Sequence, residues 1–520
     1  MAVRRFLSFP FMQSGQVIDF HIYSELDPNI TGIIIEDEML KPDDIKFLPA
    51  LINGAAYLPV SFVRSRIDPF LFWDAYDETL FLSSDTDIRG FKQNSDVRII
   101  NGQPYVSLSF VSENYRFDAE YIHGYNMVVL TDRALIKISG ELQGETDIRY
   151  RPENRAPIAK KSIPGEKIFL YEQEGSFTRV RTSDGLLGYV KTSLIKNQTS
   201  LSPSYEMPDI NYSMPHEKIN MMWDILLNIE TPAPEGVNVI SPVWFTFDTN
   251  EKKLVSRANH EYIEWARSYG MQIWPMLADS SGENASALLT DANARSRIII
   301  ELCNLAEEFG FDGINIDLEH VREADAGYYI QFIRELAVAA RQNNLILSVD
   351  MYVPSPWSSF YRRDLIGLTV DFICLMTYDE HYSGSSAAGP VASLRFVEKG
   401  VTDMLLEVPK EKILMGVPFY NRIWIENDSV KVAHHYGMDA AKEFMEQRGA
   451  LFEWDEIIGS YYGECISEDE TGKYRLWLED PRSIEAKLSI YKKYDLAGIA
   501  GWRRGFENEA AREIINKNLN

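Results

Sequence analysis

The stretch Phe311-Asp312-Gly313-Ile314-Asn315-Ile316-Asp317-Leu318-Glu319 decides the fold. In an extended strand successive side chains point to opposite faces, so Asn315, Asp317 and Glu319 share one face while Ile314, Ile316 and Leu318 share the other. No Lys or Arg lies inside the run, and carboxylates buried without a cation raise one another's proton affinity. Taken alone, the alternation also suits the wet face of a half-exposed strand, so the flanks decide. Ser296 to Phe309 is apolar at helical spacing and closes on Gly310, the residue type expected just past a helix end; Tyr328 to Ala340 has the same period. A helix, a short apolar strand ending in acids and a second helix form the βα unit of a parallel barrel or open sheet, whose chemistry sits at the C-terminal ends of the strands. Glu319 stands at that end.

The same alternation of apolar and helical runs extends from Glu217 to the C-terminus. Strands are expected at 219–225, 237–247, 272–277, 313–319, 346–351, 372–378, 413–417 and 498–502. Eight strands over about 300 residues suit a (β/α)8 barrel. The long interval between the seventh and eighth holds Trp454, Tyr461, Tyr462 and Trp477, and reads as a small insertion forming one wall of a groove.

Ahead of the barrel the chain repeats itself. Ile52-Asn-Gly-Ala-Ala-Tyr-Leu-Pro-Val-Ser-Phe-Val63 recurs as Ile100-Asn-Gly-Gln-Pro-Tyr-Val-Ser-Leu-Ser-Phe-Val111. Asn-Gly favours a two-residue hairpin turn, and such units bury a face by pairing with one another, giving a small α+β domain over 1–133. Residues 134–196 read as a compact β barrel: Asp147 to Pro152, Gly165 to Tyr171 and Phe177 to Thr182 alternate as strands, and Asp184 to Lys191 supplies a turn and a last strand. Residues 197–216, rich in Ser, Pro, Asn and Tyr, read as a linker, leaving 217–520 for the barrel.

Composition narrows the function. A net charge of −25 argues against nucleic-acid partners, whose phosphates would be repelled. No apolar run is long enough for a transmembrane helix. The three cysteines, Cys303, Cys374 and Cys465, lie far apart and fit neither a metal site nor a disulfide framework. No metal or cofactor is expected, and His434-His435 reads as a loop. Met1 to Phe20 carries Arg4-Arg5 and a short apolar stretch broken by Ser8, Pro10, Gln13, Ser14 and Gly15, which makes no convincing signal peptide.

The run 312–319 resembles the DGxDxDxE signature of family-18 glycoside hydrolases, the chitinase and endo-N-acetylglucosaminidase group, which are TIM barrels. Met376-Thr-Tyr-Asp379, Gly416 to Tyr420 and Ala500-Gly-Trp502 are similar to the family's further motifs, in its order. The resemblance implies a retaining, substrate-assisted reaction on β-1,4 linkages of N-acetylglucosamine. Glu319 would be the general acid and Asp317 would orient the substrate's acetamido group. Tyr378 would hold the acetamido carbonyl, Trp502 would floor the sugar, and Met376 and Asp379 would line its site. Tyr420, Arg422 and Trp244 are further binding candidates. Asn315 stands where most chitinases have Asp; this resembles the spore-cortex-lytic N-acetylglucosaminidase branch and puts in doubt a relay through that position, where Asn315 is expected to hydrogen-bond Asp317.

The two front modules resemble a copper-amine-oxidase N-terminal-like domain, with no His/Cys cluster to bind copper, and a bacterial SH3 domain that would contact the cell wall. Together they imply an extracellular, wall-associated or spore-associated enzyme acting on peptidoglycan. Other members of the family imply the alternatives of a chitinase, an endo-β-N-acetylglucosaminidase or a non-catalytic wall-binding lectin.

Overall fold

The computed structural model describes residues 17–19, 27, 29–40, 46–205, 217–426, 432–467 and 472–519. The stretch read for a signal peptide, up to residue 16, and linker residues 206–216 lie outside the described residues. The chain forms two compact units, one of Met1–Trp73, Glu78–Phe81 and Gly90–Tyr212, the other of Asp74–Asp77, Leu82–Arg89 and Ser213–Asn520.

The first unit holds the repeat. Ala50–Ile52 and Ala55–Pro59 form one hairpin, Val97–Ile100 and Gln103–Ser107 the other, and each is followed by a seven-residue helix. Asn53-Gly54 and Asn101-Gly102 take left-handed φ angles of 51°, 80°, 50° and 75°, the turn geometry for which Asn-Gly is suited. The two copies pair edge to edge, Leu58 opposite Val106, with both side chains fully buried. The same unit contains a seven-stranded sheet in the region 137–201. Its last strand, Ile195–Leu201, pairs with Lys137–Leu142, so the start of the expected linker is strand instead. That strand is exposed at six of its seven positions, and an edge strand of this kind carries no apolar alternation to betray it.

The second unit is a closed parallel barrel. Its strands are β1 (Ile219–Asp224), β2 (Val239–Asp248), β3 (Met276–Asp279), β4 (Gly313–Leu318), β5 (Ile346–Tyr352), β6 (Phe372–Met376), β7 (Ile413–Pro418) and β8 (Gly498–Trp502). Each pairs with the next in parallel, and β8 pairs back onto β1. The strands are apolar on both faces because helices cover the outside while side chains fill the inside. Met221, Trp223, Trp274, Met276, Phe372 and Leu414 form that filling.

Local chemistry fixes the strand that carries the acids. Asp291 caps the helix Ala292–Phe309 by accepting from the Asn293 and Ala294 amides, and Gly310 ends it at φ 69°. Asp312 then accepts the Ile273 amide and pairs with Arg267, a structural role at the foot of β4. Gly313 lets β4 approach β5: a Cβ there would lie 2.7 Å from the Ile346 carbonyl oxygen.

The insertion between β7 and β8 is a five-stranded antiparallel sheet with the helix Met438–Glu446 on it. It is tied to the helix Pro481–Tyr494 by a fully buried ion pair, Lys487 Nζ to Glu479 Oε2 at 2.8 Å, with the Ser483 hydroxyl donating to the same carboxylate.

Candidate active site

The C-terminal ends of β4, β5, β6 and β8, with the insertion that follows β7, surround a cavity of about 130 Å³. From β4 come Asp317, pointing inward, and Glu319, one residue beyond the strand; β5 adds Asp350. Met376 ends β6, Tyr378 and Asp379 follow it, and Trp502 ends β8. Tyr420, Arg422 and His435 reach in from the insertion. The lining is thus set by strand ends and by the first hairpin of the insertion, whose register puts Arg422 opposite His435.

The carboxyls differ in environment. Glu319 keeps about a third of its side chain exposed; burial and the charge of Asp379 raise its pKa above the ordinary glutamate value, against the opposing influence of His320. Its neutral, proton-donating form therefore persists to higher pH. Asp317 is raised further by burial, then by Asp350 and Glu319, and its Oδ1 is buried with no hydrogen-bond partner among the described residues. Asp379 instead sits at φ 61°, a left-handed conformation that non-glycine residues adopt at a cost, and is held by Arg422 Nη2 at 2.7 Å and by the Tyr420 hydroxyl. Arg422 also donates to the His381 carbonyl and, through Nε at 3.1 Å, to His435 Nε2; burial and that guanidinium lower the His435 pKa.

The aromatic groups form the walls. Tyr378 is packed edge-on against Trp223 and Tyr420 at 6.4 and 6.2 Å, and burial raises its hydroxyl well above the usual tyrosine range, so it stays a donor. Trp223, buried in the barrel, supports Trp502 at 5.6 Å. Gly416 leaves the room that Tyr378 occupies, since a Cβ there would lie 3.0 Å from the Tyr378 ring and 2.6 Å from the Leu375 carbonyl oxygen.

Of the residues singled out in the sequence, Glu319, Asp317, Tyr378, Trp502, Asp379, Met376, Tyr420 and Arg422 meet at this cavity. Two expectations are corrected. Trp244 is buried on the outer face of β2 against Tyr262 and Phe311, because Ser241 points into the barrel and alternation then sends Trp244 outward. Asn315 lies below the cavity and does not bond Asp317. Its amide nitrogen donates to Asp350 Oδ1 at 2.8 Å and Ser348 Oγ at 3.0 Å, while its oxygen accepts from Trp223 Nε1 and Ser241 Oγ.

The sequence reading misses Asp350 and His435. Asp350 has a signal: Ser348 and Asp350 alternate on the strand next to Asn315 and Asp317. His435 lies in a strand, Val432–Gly437, and not in a loop, and acquires its place only through the hairpin register.

A family model for "Glycosyl hydrolases family 18" matches residues 241–507, just over half of the chain. The "Uncharacterized glycosylase YvbX" of Bacillus subtilis (strain 168) is 24% identical over 295 residues, covering 54% of this chain and 84% of that protein. The "Cortical fragment-lytic enzyme" of the same organism is 28% identical over 235 residues, covering 43% of this chain and about half, 54%, of that protein's length. The crystal structure of the spore cortex-lytic enzyme SleL of Bacillus megaterium QM B1551 shares the fold with a TM-score of 0.53 at 18% identity, covering 69% of this chain and 89% of SleL. With acids at the end of β4, a tyrosine after β6 and a tryptophan ending β8 around one cavity, this chain belongs to glycosyl hydrolases family 18 and is a glycoside hydrolase.

Proposed function

We propose that the chain is a retaining, substrate-assisted N-acetylglucosaminidase whose substrate is bacterial cell-wall glycan, spore-cortex peptidoglycan above all. One observation carries the mechanism. Asp317, Glu319 and Asp350 come from the adjacent strands β4 and β5, and the fourth lining carboxylate, Asp379, is already bound by Arg422 and Tyr420. A glycosidase using a protein nucleophile needs a free carboxylate across the sugar from its acid, and family 18 is among the substrate-assisted exceptions. Here the acetamido oxygen of the sugar attacks the anomeric carbon while Glu319 protonates the departing oxygen. Asp317 accepts the acetamido N–H, the Tyr378 hydroxyl holds the carbonyl, and Trp502 stacks on the sugar face. Gly416→Ala, by displacing Tyr378, is expected to lower kcat on a soluble N-acetylglucosamine oligomer roughly 10²-fold.

The cortical fragment-lytic relatives support the substrate class, as does Asn315 at the position where that branch departs from chitinases. The module at 134–196 would hold the enzyme at the wall, in keeping with an extracellular, wall-associated or spore-associated place. Among the described residues no helix is long and apolar enough to cross a membrane. Beside the cavity, Trp357 is 61% exposed, its ring 5.1 Å from Tyr352, whose hydroxyl lies 3.2 Å from His320 Nδ1. An aromatic face open to solvent there suits a further sugar of a long glycan. Trp357→Ala is expected to raise KM for a long glycan about tenfold more than KM for a two-sugar aryl glycoside, a difference of about 1.4 kcal/mol.

Digesting cortex fragments, chitin oligomers and an N-glycoprotein side by side, with products identified by mass, tests the substrate. Release from cortex fragments is expected; release from chitin alone, or from the glycoprotein alone, replaces the peptidoglycan reading with a chitinase or an endo-β-N-acetylglucosaminidase.

A further inference from the structure

We propose that Asp350 is the partner with which Asp317 shares a single proton, so that β5 supplies the second acid that the motif on β4 lacks at Asn315. The inference deepens the proposed function and rests on it for the use to which the proton is put.

The register brings the two carboxyls together. Asn315 is opposite Ser348 and Ile316 opposite Val349, so the next inward pair is Asp317 and Asp350, on strands about 4.8 Å apart. Both side chains line the cavity. Asn315 is saturated, accepting from Trp223 and Ser241 and donating to Ser348 and Asp350, and of the two carboxyls its amide reaches Asp350 alone. Asp350 is thereby fixed as the charged member. Asp317 Oδ1, buried and without a partner among the described residues, is the atom left to carry the proton.

The remaining groups facing the pair do not neutralise it. Glu319 approaches from the end of β4, Tyr352 from the end of β5, Cys374 from β6, Tyr378 from just beyond it, and Tyr329 and Tyr361 from the segments that follow β4 and β5, the last five neutral near pH 7. Arg422, the guanidinium in the cavity lining, is engaged with Asp379. Two carboxyls this close in a buried site cannot both ionise readily, and burial raises both. When the acetamido group binds, the proton passes from the Asp317 carboxyl oxygen to Asp350. The pair keeps one negative charge throughout, and Asp317 becomes the carboxylate that receives the acetamido N–H. Asp350 is thus a positioning residue acting through Asp317.

The test compares the full-length wild type with Asp350→Asn and with the exchange Asn315→Asp/Asp350→Asn, measuring kcat and KM on chitotetraose from about pH 4 to about pH 9. Asp350→Asn is expected to lower kcat roughly 10- to 100-fold with KM nearly unchanged and to alter the pH profile. The exchange, which moves the acid to β4, is expected to recover at least tenfold of the loss. Wild-type kcat and pH profile in Asp350→Asn, or an exchange no better than Asp350→Asn, would overturn the proposal.

A second readout needs no substrate. A folded state that keeps a proton the unfolded chain has released loses stability as pH rises, so the wild-type Tm should fall more steeply than that of Asp350→Asn between about pH 5 and about pH 8. Equal slopes would overturn the pair. A steeper wild-type slope in a protein that cleaves no N-acetylglucosamine glycan would uphold the pair and sink the proposed function alone.

Discussion

Glu319→Gln is expected to lower kcat on a natural N-acetylglucosamine glycan roughly 10²- to 10⁴-fold, the range a positioned general acid supplies, while the affinity for the glycan should change little. The amide fills the same space at the mouth of the cavity but has no proton to give. Two features separate this from a structural defect. The loss should be much smaller on an aryl glycoside whose leaving group needs no proton. The alkaline limb of the wild-type pH profile should also vanish. Burial and Asp379 raise the pKa of Glu319, so activity should be present while the carboxyl is neutral and decline as rising pH ionises it; the carboxamide of the variant cannot ionise. Steady-state kinetics on the two substrates across pH check both, and equal kinetics of variant and wild type would remove Glu319 from the reaction.

Lys487→Ala is expected to cost about 3–5 kcal/mol, because it leaves the Glu479 carboxylate buried and uncompensated. Both side chains are at most 1% exposed, and among the described residues the Glu479 carboxylate is bonded by Lys487 and the Ser483 hydroxyl alone. Replacing both partners by apolar residues, Lys487→Met with Glu479→Leu, should cost far less than the single change, since nothing charged is then left in the core. Calorimetric unfolding of the three proteins measures the difference. A single variant as stable as wild type would show that water reaches this pair.

The barrel is legible because parallel strands buried on both faces read as continuous apolar runs, and because β4 writes its acids at every second residue. What escapes depends on neighbours along no single stretch. Asp350 gains meaning only beside Asp317, one strand away, and His435 only opposite Arg422 in a hairpin. Trp244 misleads because an aromatic after an inward Ser-Pro-Val suits a binding wall, whereas the parity set by Ser241 turns it toward the helices, with a register irregularity between Val243 and Phe245. Asn315 misleads differently: the residue is inward as its parity requires, but its amide reaches across to β5, where Asp350 offers a carboxylate, and not up its own strand.

The measurement that bears most directly on the mechanism is the anomeric configuration of the first product formed from an N-acetylglucosamine oligomer, followed by proton NMR before mutarotation. Attack by the sugar's own acetamido oxygen followed by water from the same face as the departed group predicts that the β anomer appears first. Initial release of the α anomer would mean a single inverting displacement, and would contradict the account.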